Sequence, residues 1–218
     1  MAPNAGLIHE ESSPGPPRHD LRRHVRGQTP DAADWDGVLS KLARMATSDQ
    51  LREWRACPRC GTGLEHGEGT VSCPSCGLQE YANPAPTASA LVRDGDRLLL
   101  ARRAGEPGKG LWDLVGGFMD EGEEPLETLR RELREETGCE VEVGEFLGGL
   151  PDRYGDDGIW TINFYWEATL RGEPQPGDDV AELAWFPREE LPPRDEFAFA
   201  NTIVLLERAG ARFLEPAG

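Results

Sequence analysis

The residues best suited to chemistry lie between residues 113 and 139, where a glycine pair is followed by a strongly acidic run. Segment 125–137 carries leucines at helical spacing, with a proline just inside its start and a glycine just past its end, which predicts a helix. On that helix Glu132, Glu135 and Glu136 occupy positions i, i+3 and i+4, so their carboxylates project from one face. Like charges this close repel one another, and a divalent cation is their natural compensation. Because hard oxygen ligands favour Mg²⁺ or Mn²⁺ over zinc, the pattern predicts a Mg²⁺ or Mn²⁺ site on this helix face.

A second set of candidate ligands is formed by two Cys-x-x-Cys pairs: Cys57, Cys60, Cys73 and Cys76. Two such pairs can place four thiolates around one tetrahedral ion, and the glycine after each pair lets the backbone turn toward the sulfurs. A disulfide fits poorly with a cytoplasmic chain, and a redox pair normally sits at a strand–helix junction that the sequence lacks here. The spacing predicts a zinc ribbon with a structural Zn²⁺ and no catalytic position. Cys139 stands apart and is predicted to be a small buried hydrophobic residue.

An excess of acidic residues limits the partners of this chain. Its 218 residues include 23 Lys and Arg against 40 Asp and Glu, a formal net charge of −17. Such a charge argues against a general affinity for extended nucleic acid or anionic membranes, so a small-molecule partner is expected instead. No apolar run approaches the roughly 20 residues that cross a bilayer, and the first thirty residues lack the apolar core of a secretory signal. We therefore expect a cytoplasmic location.

The sequence divides into four parts. Residues 1–30 are rich in proline and poor in apolar residues, which predicts a disordered tail. Residues 31–55 carry apolar residues at three- and four-residue steps, which predicts a helical segment. The cysteine pairs place the zinc ribbon at residues 56–80, and residues 84–212 contain the remaining strand and helix signals.

Those signals predict an α+β fold with a mixed β-sheet packed between helices. A hairpin is expected where residues 94–96 read Asp-Gly-Asp, because these residues accept the positive φ values of tight turns. Further strands are predicted over 113–118, 140–143, 159–170 and 182–186, and a closing helix within 196–214. Strands thus precede and follow the central acidic helix, as in a mixed sheet with helices packed against it.

The acidic segment resembles the Nudix box, G-x5-E-x7-R-E-U-x-E-E-x-G-U, in which U is a bulky aliphatic residue. Counted from Gly117, the chain meets every position except the last, where Cys139 stands. The preceding LWDLVGGF resembles the lead-in strand of that family, with Val115 where proline is frequent. A surface helix that is acidic by chance predicts neither the glycine turn nor the clustering of the three glutamates.

The resemblance implies a Nudix hydrolase domain over residues 84–212, which cleaves a nucleoside diphosphate linked to a moiety X into a nucleoside monophosphate and X-phosphate. It implies that Glu132, Glu135 and Glu136 hold the cations together with the Gly116 carbonyl. It also implies an ion pair that ties the loop to the helix, formed by Glu123 and Arg131. The general base comes either from these glutamates or from a distal loop, where the candidates are Asp178, Asp179 and Glu182.

Further residues are candidates for substrate contacts. Arg102, Arg103 and Lys109 could meet phosphates, although ordinary surface charge explains them equally well. Trp112 and Tyr154 could stack on a base, but aromatic residues of strands more often belong to a core.

Four alternatives for the function stay open. Ribbon-bearing Nudix proteins described as ADP-ribose or FAD pyrophosphatases are similar at residues 81–84 (YANP) and 197–199 (FAF). The NADH pyrophosphatases also join a ribbon to a Nudix domain, but their Ser-Gln-Pro-Trp segment is replaced here by FLGGLPDRYGDDG. Hydrolysis of oxidised nucleotides is a further possibility within the family. A non-enzymatic ligand sensor or ribbon interaction protein is the alternative of another class, and a homodimer is left open.

Overall fold

The computed structural model of the chain describes residues 49–155, 158–177 and 179–216. The predicted tail over 1–30 and most of the helical segment over 31–55 lie outside the described residues, as does Asp178. The described part begins with a short helix, α1 (Asp49–Arg52).

A three-stranded antiparallel sheet follows and forms the ribbon, with strands β1 (Glu65–Gly67), β2 (Thr70–Ser72) and β3 (Gln79–Tyr81). Each cysteine pair closes a tight turn in which a glycine with positive φ, Gly61 or Gly77, donates its N–H to the first cysteine carbonyl at 2.8 and 3.0 Å. The buried residues Cys57, Cys73 and Leu78 are the core of this unit. Because this core is so small, a metal ion held by the four sulfurs would be the main connection within the ribbon.

The larger part is a seven-stranded mixed sheet. Its strands are β4 (Ala85–Asp94), β5 (Arg97–Arg103), β6 (Trp112–Asp113), β7 (Val115–Phe118), β8 (Glu140–Arg153), β9 (Trp160–Arg171) and β10 (Val180–Pro187). They lie in the order β10-β5-β4-β9-β8, while β6 pairs with β5 and β7 pairs with β4. Strands β4 and β9 are parallel, and the other pairs are antiparallel. The mixed sheet confirms the predicted fold class.

Two helices, α2 (Pro125–Thr137) and α3 (Ala200–Arg208), pack on two separate cores. Successive residues of a strand point to opposite faces, and in β5 Leu98 and Leu100 join one core while Leu99 joins the other. Leu129 and Leu133 of α2 pack in the core with Leu99. The sheet is therefore covered on both faces, and all three β5 leucines are fully buried.

Two elements differ in extent from the sequence expectation. Strand β8 runs to Arg153 instead of ending at residue 143, because β-bulges between Val143 and Gly148 shift the register and let pairing with β9 continue. The closing helix is shorter than expected, because Phe197 lies in extended backbone bridged to Trp112. Helix α3 begins only at Ala200, which places its N-terminus beside β6 and β8.

We expect the ribbon to bind one Zn²⁺ ion per chain through its four cysteines. Their sulfur atoms lie within 4.8 Å of one another, as a tetrahedral thiolate site requires, and the ribbon has almost no core to hold it otherwise. Elemental analysis of the purified full chain should give one zinc per chain, and removing it with a chelator should unfold residues 57–81 as seen by amide hydrogen exchange. Protection that survives metal removal would contradict this prediction.

Candidate active site

Two consecutive glycines bring strand β7 against helix α2. Gly116 has φ +145°, and a Cβ built on it would lie 2.3 Å from the Ala88 carbonyl oxygen. A Cβ on Gly117 would lie 2.5 Å from the carboxylate carbon of Glu132. The backbone contacts and the positive φ require glycine at position 116, whereas a Cβ at position 117 would displace the Glu132 carboxylate. The strand consequently passes near enough to the helix for the Gly116 N–H to donate to Glu136 Oε2 at 2.9 Å.

This close packing removes two of the three predicted glutamates from water. Burial raises the pKa of Glu136 to about 8, although the hydrogen bond from Gly116 opposes the shift, and the nearby carboxylates of Glu132 and Asp113 add to it. Burial also raises the pKa of Glu132, against the opposing effect of Arg131. A cation bound between two partly buried carboxylates with raised pKa values would favour the ionised form of each.

Arg131 connects the helix to the preceding loop. Its Nε and Nη2 donate to the two carboxylate oxygens of Glu123 at 2.8 Å each, and Nη2 also donates to the Phe118 carbonyl at 3.1 Å. Its Nη1 donates to Glu132 at 2.7 Å and to Glu135 at 3.2 Å. Its hydrogen bonds, the largest contribution, lower the pKa of Glu123 to about 2. The predicted pair of Glu123 and Arg131 is thus present in bidentate geometry.

The charge balance of these groups fits a divalent cation. Arg131 supplies one positive charge to Glu123, Glu132 and Glu135, and Glu136 adds a fourth carboxylate. Glu132 and Glu136 line the cavity described below, and their oxygens are the hard donors that Mg²⁺ and Mn²⁺ prefer. Glu135 does not line that cavity: its side chain is 44% exposed and bonds to Arg131. Within the described residues, the four cysteines are the one such ligand set that lies within 4.8 Å, so the three glutamates do not converge that closely.

A cavity of about 420 Å³ opens beside these glutamates. Of the residues predicted from the sequence, those that line it are Gly116, Arg131, Glu132, Glu136, Arg103, Tyr154 and Asp179. Its volume falls in the range of small-molecule sites, which begins at about 300 Å³.

Arg103 is held in place at the wall of this cavity. Its Nε donates to the Pro107 carbonyl at 2.7 Å and its Nη2 to the Tyr154 hydroxyl at 3.0 Å. The guanidinium lies over the rings of Tyr154 and Phe199, which stack with centroids 5.6 Å apart. A cation fixed by several contacts loses little conformational entropy when it binds a phosphate.

Four other predicted substrate residues lie outside the cavity lining. Arg102 donates to Glu182 at 2.9 Å and stacks over Trp112, and these contacts account for both charged side chains. Trp112 is 2% exposed and packs edge-on against Phe186 in the core. Lys109 is exposed at the surface.

The distal loop is docked on the last turn of α2. The N–H groups of Gln175 and Gly177 donate to the carbonyls of Thr137 and Glu136 at 2.9 and 3.1 Å. A Cβ on Gly177 would lie 2.3 Å from the Glu135 carbonyl oxygen, so this contact requires glycine. The loop then carries Asp179 to the cavity, whereas Glu182 points elsewhere to Arg102.

Sequence reasoning missed the polar groups at the inner wall of the cavity: Asp113, Asp152, Asn163, Asn201 and Thr202. They come from strands β6, β8 and β9 and from the first turn of α3, which are far apart in sequence. The only available signal was Asp113, a carboxylate beside the buried residues of the lead-in strand. Burial raises its pKa.

In the described part of the chain, no helix has the length and apolar character needed to span a bilayer.

Comparison with known proteins points to one family. The profile of the NUDIX domain matches residues 83–206. The crystal structure of a NUDIX hydrolase from Nitrosomonas europaea is similar with a TM-score of 0.59 at 26% identity, and the match covers 75% of this chain and 97% of that chain. These findings confirm both the resemblance seen in the acidic segment and the predicted fold.

Two relatives differ in the substrates that their names state. The NAD-capped RNA hydrolase NudC of Pseudomonas aeruginosa is 32% identical over 164 residues, which cover 72% of this chain and 58% of NudC. The ADP-ribose pyrophosphatase of Methanocaldococcus jannaschii is 34% identical over 114 residues, which cover 51% of this chain and 67% of that protein. The chain thus spans less than two thirds of the length of NudC.

The pair of Glu123 and Arg131 should make stability depend on pH in acid. Because the pKa of Glu123 is lowered from 4.5 to about 2, its contribution to stability is complete above pH 4.5 and is lost as the pH falls toward 2. In Glu123→Gln the unfolding free energy should depend less steeply on pH over this window than in the wild type. The decrease in slope should correspond to at most about one proton fewer taken up on unfolding. Denaturant unfolding at several pH values measures this, with Glu121→Gln, an exposed loop glutamate, as the control. Equal slopes in both variants would contradict the prediction.

Proposed function

Because the chain belongs to the NUDIX family, we propose that it is a metal-dependent pyrophosphohydrolase. It hydrolyses the pyrophosphate bond of a nucleoside diphosphate linked to a moiety X and releases a nucleoside monophosphate and X-phosphate. The observation that carries this proposal is that Glu132, Glu136, Gly116 and Arg103 line the same cavity. One end of the cavity offers oxygen ligands for a cation, and its wall offers a fixed guanidinium for phosphate.

In this proposal Glu132 and Glu136 hold Mg²⁺ or Mn²⁺ together with the Gly116 carbonyl. A divalent ion there neutralises phosphate charge and makes a water molecule more acidic. Arg131 keeps Glu132 in position through its 2.7 Å hydrogen bond, and it also donates a hydrogen bond to Glu135. Arg103 binds phosphate oxygens, because its guanidinium is already oriented by Pro107 and Tyr154.

The proton acceptor for the attacking water is proposed to be a carboxylate of the cavity. Asp179 is the loop candidate supported by geometry, because it lines the cavity while Glu182 pairs with Arg102. The alternatives are Glu132 and Glu136, which also line it. A base must lie within hydrogen-bond reach of the water. All three carboxylates line the cavity in which that water would bind.

For the substrate we favour ADP-ribose or FAD. The segment that replaces the Ser-Gln-Pro-Trp motif carries Tyr154 into the cavity, where its ring stacks with Phe199 of the FAF segment. The FAF segment is one of the two in which the sequence resembles ADP-ribose and FAD pyrophosphatases, and the relative named ADP-ribose pyrophosphatase supports the same preference. NADH is the second candidate, supported by the name of the NudC relative. The proposed location is cytoplasmic, and the structural ion of the ribbon is proposed to be zinc.

Glu136→Gln should lower kcat by about 10²-fold or more at saturating Mg²⁺, because it removes a buried charge from the proposed cation site. Glu135→Gln should lose at least tenfold less activity, since that side chain is exposed and lies outside the cavity lining. Nucleoside monophosphate release measures both, with Glu121→Gln as the surface control. Equal losses in the Glu135 and Glu136 variants would show that cavity lining does not separate the roles of the two glutamates.

A substrate panel tests the proposed specificity. With Mg²⁺ or Mn²⁺, ADP-ribose or FAD should show the highest kcat/KM among ADP-ribose, FAD, NADH, diadenosine polyphosphates and 8-oxo-dGTP. Truncation of the preferred substrate to ADP should lower kcat as well as affinity, because binding energy from X would help to orient the scissile bond. A higher kcat/KM for NADH or for 8-oxo-dGTP would overturn the preference, and no turnover of any compound would overturn the enzymatic function.

A further inference from the structure

The inner wall of the cavity is polar and is built from four elements. Asp113 comes from β6, Asp152 from β8 and Tyr165 from β9, while Asn201 and Thr202 belong to the first turn of α3. The proposed functions of the cation site and of Arg103 use none of these groups. They are also well shielded from bulk solvent, since Tyr165 is 2% exposed and Thr202 1%.

Asp113 presents one oxygen that accepts no hydrogen bond from the described residues. Its Oδ1 accepts from the Leu114 N–H at 2.8 Å and from the Thr202 hydroxyl at 2.7 Å, which fixes the plane of the carboxylate. Its Oδ2 is 3.7 Å from Arg103 Nη1, beyond hydrogen-bond distance. Because the side chain lines the cavity and is 18% exposed, Oδ2 is a fixed acceptor available to a ligand.

Asn201 presents a complementary donor. Its backbone N–H donates to Asp152 Oδ2 at 2.9 Å, and its side-chain Oδ1 accepts the Thr202 N–H at 2.8 Å. The first bond fixes the backbone and the second orients the side chain, whose amide nitrogen Nδ2 has no hydrogen-bond partner among the described residues. The residue is only 6% exposed and lines the cavity. Its Nδ2 is therefore an oriented donor available to a ligand in the cavity.

An acceptor and a donor therefore lie at the same wall, with Thr202 linking them through its hydroxyl bond to Asp113 and its backbone bond to Asn201. A hydroxyl group can donate and accept at once, so neighbouring hydroxyls can satisfy both groups. An exocyclic amine only donates and would leave the Asn201 amide without a partner. A phosphate only accepts and would be repelled by Asp113 and Asp152.

We propose that Asp113 and Asn201 form a subsite that binds the vicinal hydroxyls of the ribosyl group X. The inference rests on the proposed function, and it is developed for ADP-ribose, one of the favoured substrates, whose terminal ribose has a free diol. A site built to bind a hydroxyl discriminates strongly against an analogue that lacks it, because its buried polar groups are then left unpaired. Asp113 and Asn201 are thus specificity-determining residues.

The kinetic test compares ADP-ribose with its 2″-deoxy analogue, which lacks one hydroxyl of the terminal ribose. The wild-type chain should prefer ADP-ribose by about tenfold or more in kcat/KM. Asn201→Ala keeps a good helix former in the first turn of α3 and should reduce this preference to below about threefold. Asp113→Asn should reduce it as well, while Asp195→Asn, at an exposed site, should leave it unchanged. Thermal unfolding verifies that each variant is folded.

A binding test reads the same subsite without turnover. Calorimetric titration of the full chain with ribose 5-phosphate and with 2-deoxyribose 5-phosphate, in the presence of Mg²⁺, should show tighter binding of ribose 5-phosphate. That difference should disappear in Asn201→Ala. Equal binding of the two sugars, or no binding of either, would overturn the subsite.

The outcomes separate this inference from the proposed function. Hydrolysis of ADP-ribose without discrimination against the deoxy analogue overturns the subsite and leaves the pyrophosphohydrolase intact. Absence of any hydrolysis overturns the function, while the binding test still decides the subsite. Discrimination that is equal in the wild type and both variants also overturns the assignment to Asp113 and Asn201. If Asn201→Ala lost NADH turnover but kept the full preference for ADP-ribose over its deoxy analogue, the occupant would be the carboxamide, which also donates and accepts, instead of the diol.

Discussion

The close approach of strand β7 to helix α2 is the constraint on which the rest of the site depends. It exists because positions 116 and 117 have no side chain: a Cβ at either would lie within 2.5 Å of the neighbouring strand or of Glu132. The same contact takes Glu136 partly out of water and gives it a backbone hydrogen-bond donor. Leu129 and Leu133 hold the helix on the sheet by packing in the core that also contains Val115 of β7. The carboxylates are therefore kept near one another by core packing, against their electrostatic repulsion.

The distribution of positive charge explains why the three glutamates of the helix differ. Arg131 is shared among Glu123, Glu132 and Glu135, and it binds Glu123 in the loop with bidentate geometry. Glu135 is satisfied at the surface by that same guanidinium, whereas within the described residues Glu136 accepts a hydrogen bond only from the Gly116 N–H. A cation at this end of the cavity would therefore compensate Glu136 most. Equivalent spacing on the helix does not give equivalent environments.

Much of this arrangement could be predicted from the sequence, because it is local. The i, i+3, i+4 spacing, the helix boundaries and the turn at Gly95 each follow from residues within one or two helical turns. Strand β8 could not be predicted over its full length, because Gly144 and Gly148 interrupt the alternation and the pairing continues only through bulges against β9. The inner wall was missed for the same reason: Asp113 and Asn201 meet only when sheet and helix are assembled.

Helix α2 holds the segments that precede and follow it in the chain. Arg131, in the middle of the helix, bonds the preceding segment through the Phe118 carbonyl and the Glu123 carboxylate. At the C-terminal side the last carbonyls accept N–H groups of the distal loop, which carries Asp179 to the cavity. Backbone contacts place few demands on side chains, with Gly177 as the exception. The loop sequences can therefore change which group X is bound while the helix keeps the carboxylates in place, as expected when loops on a rigid scaffold carry specificity.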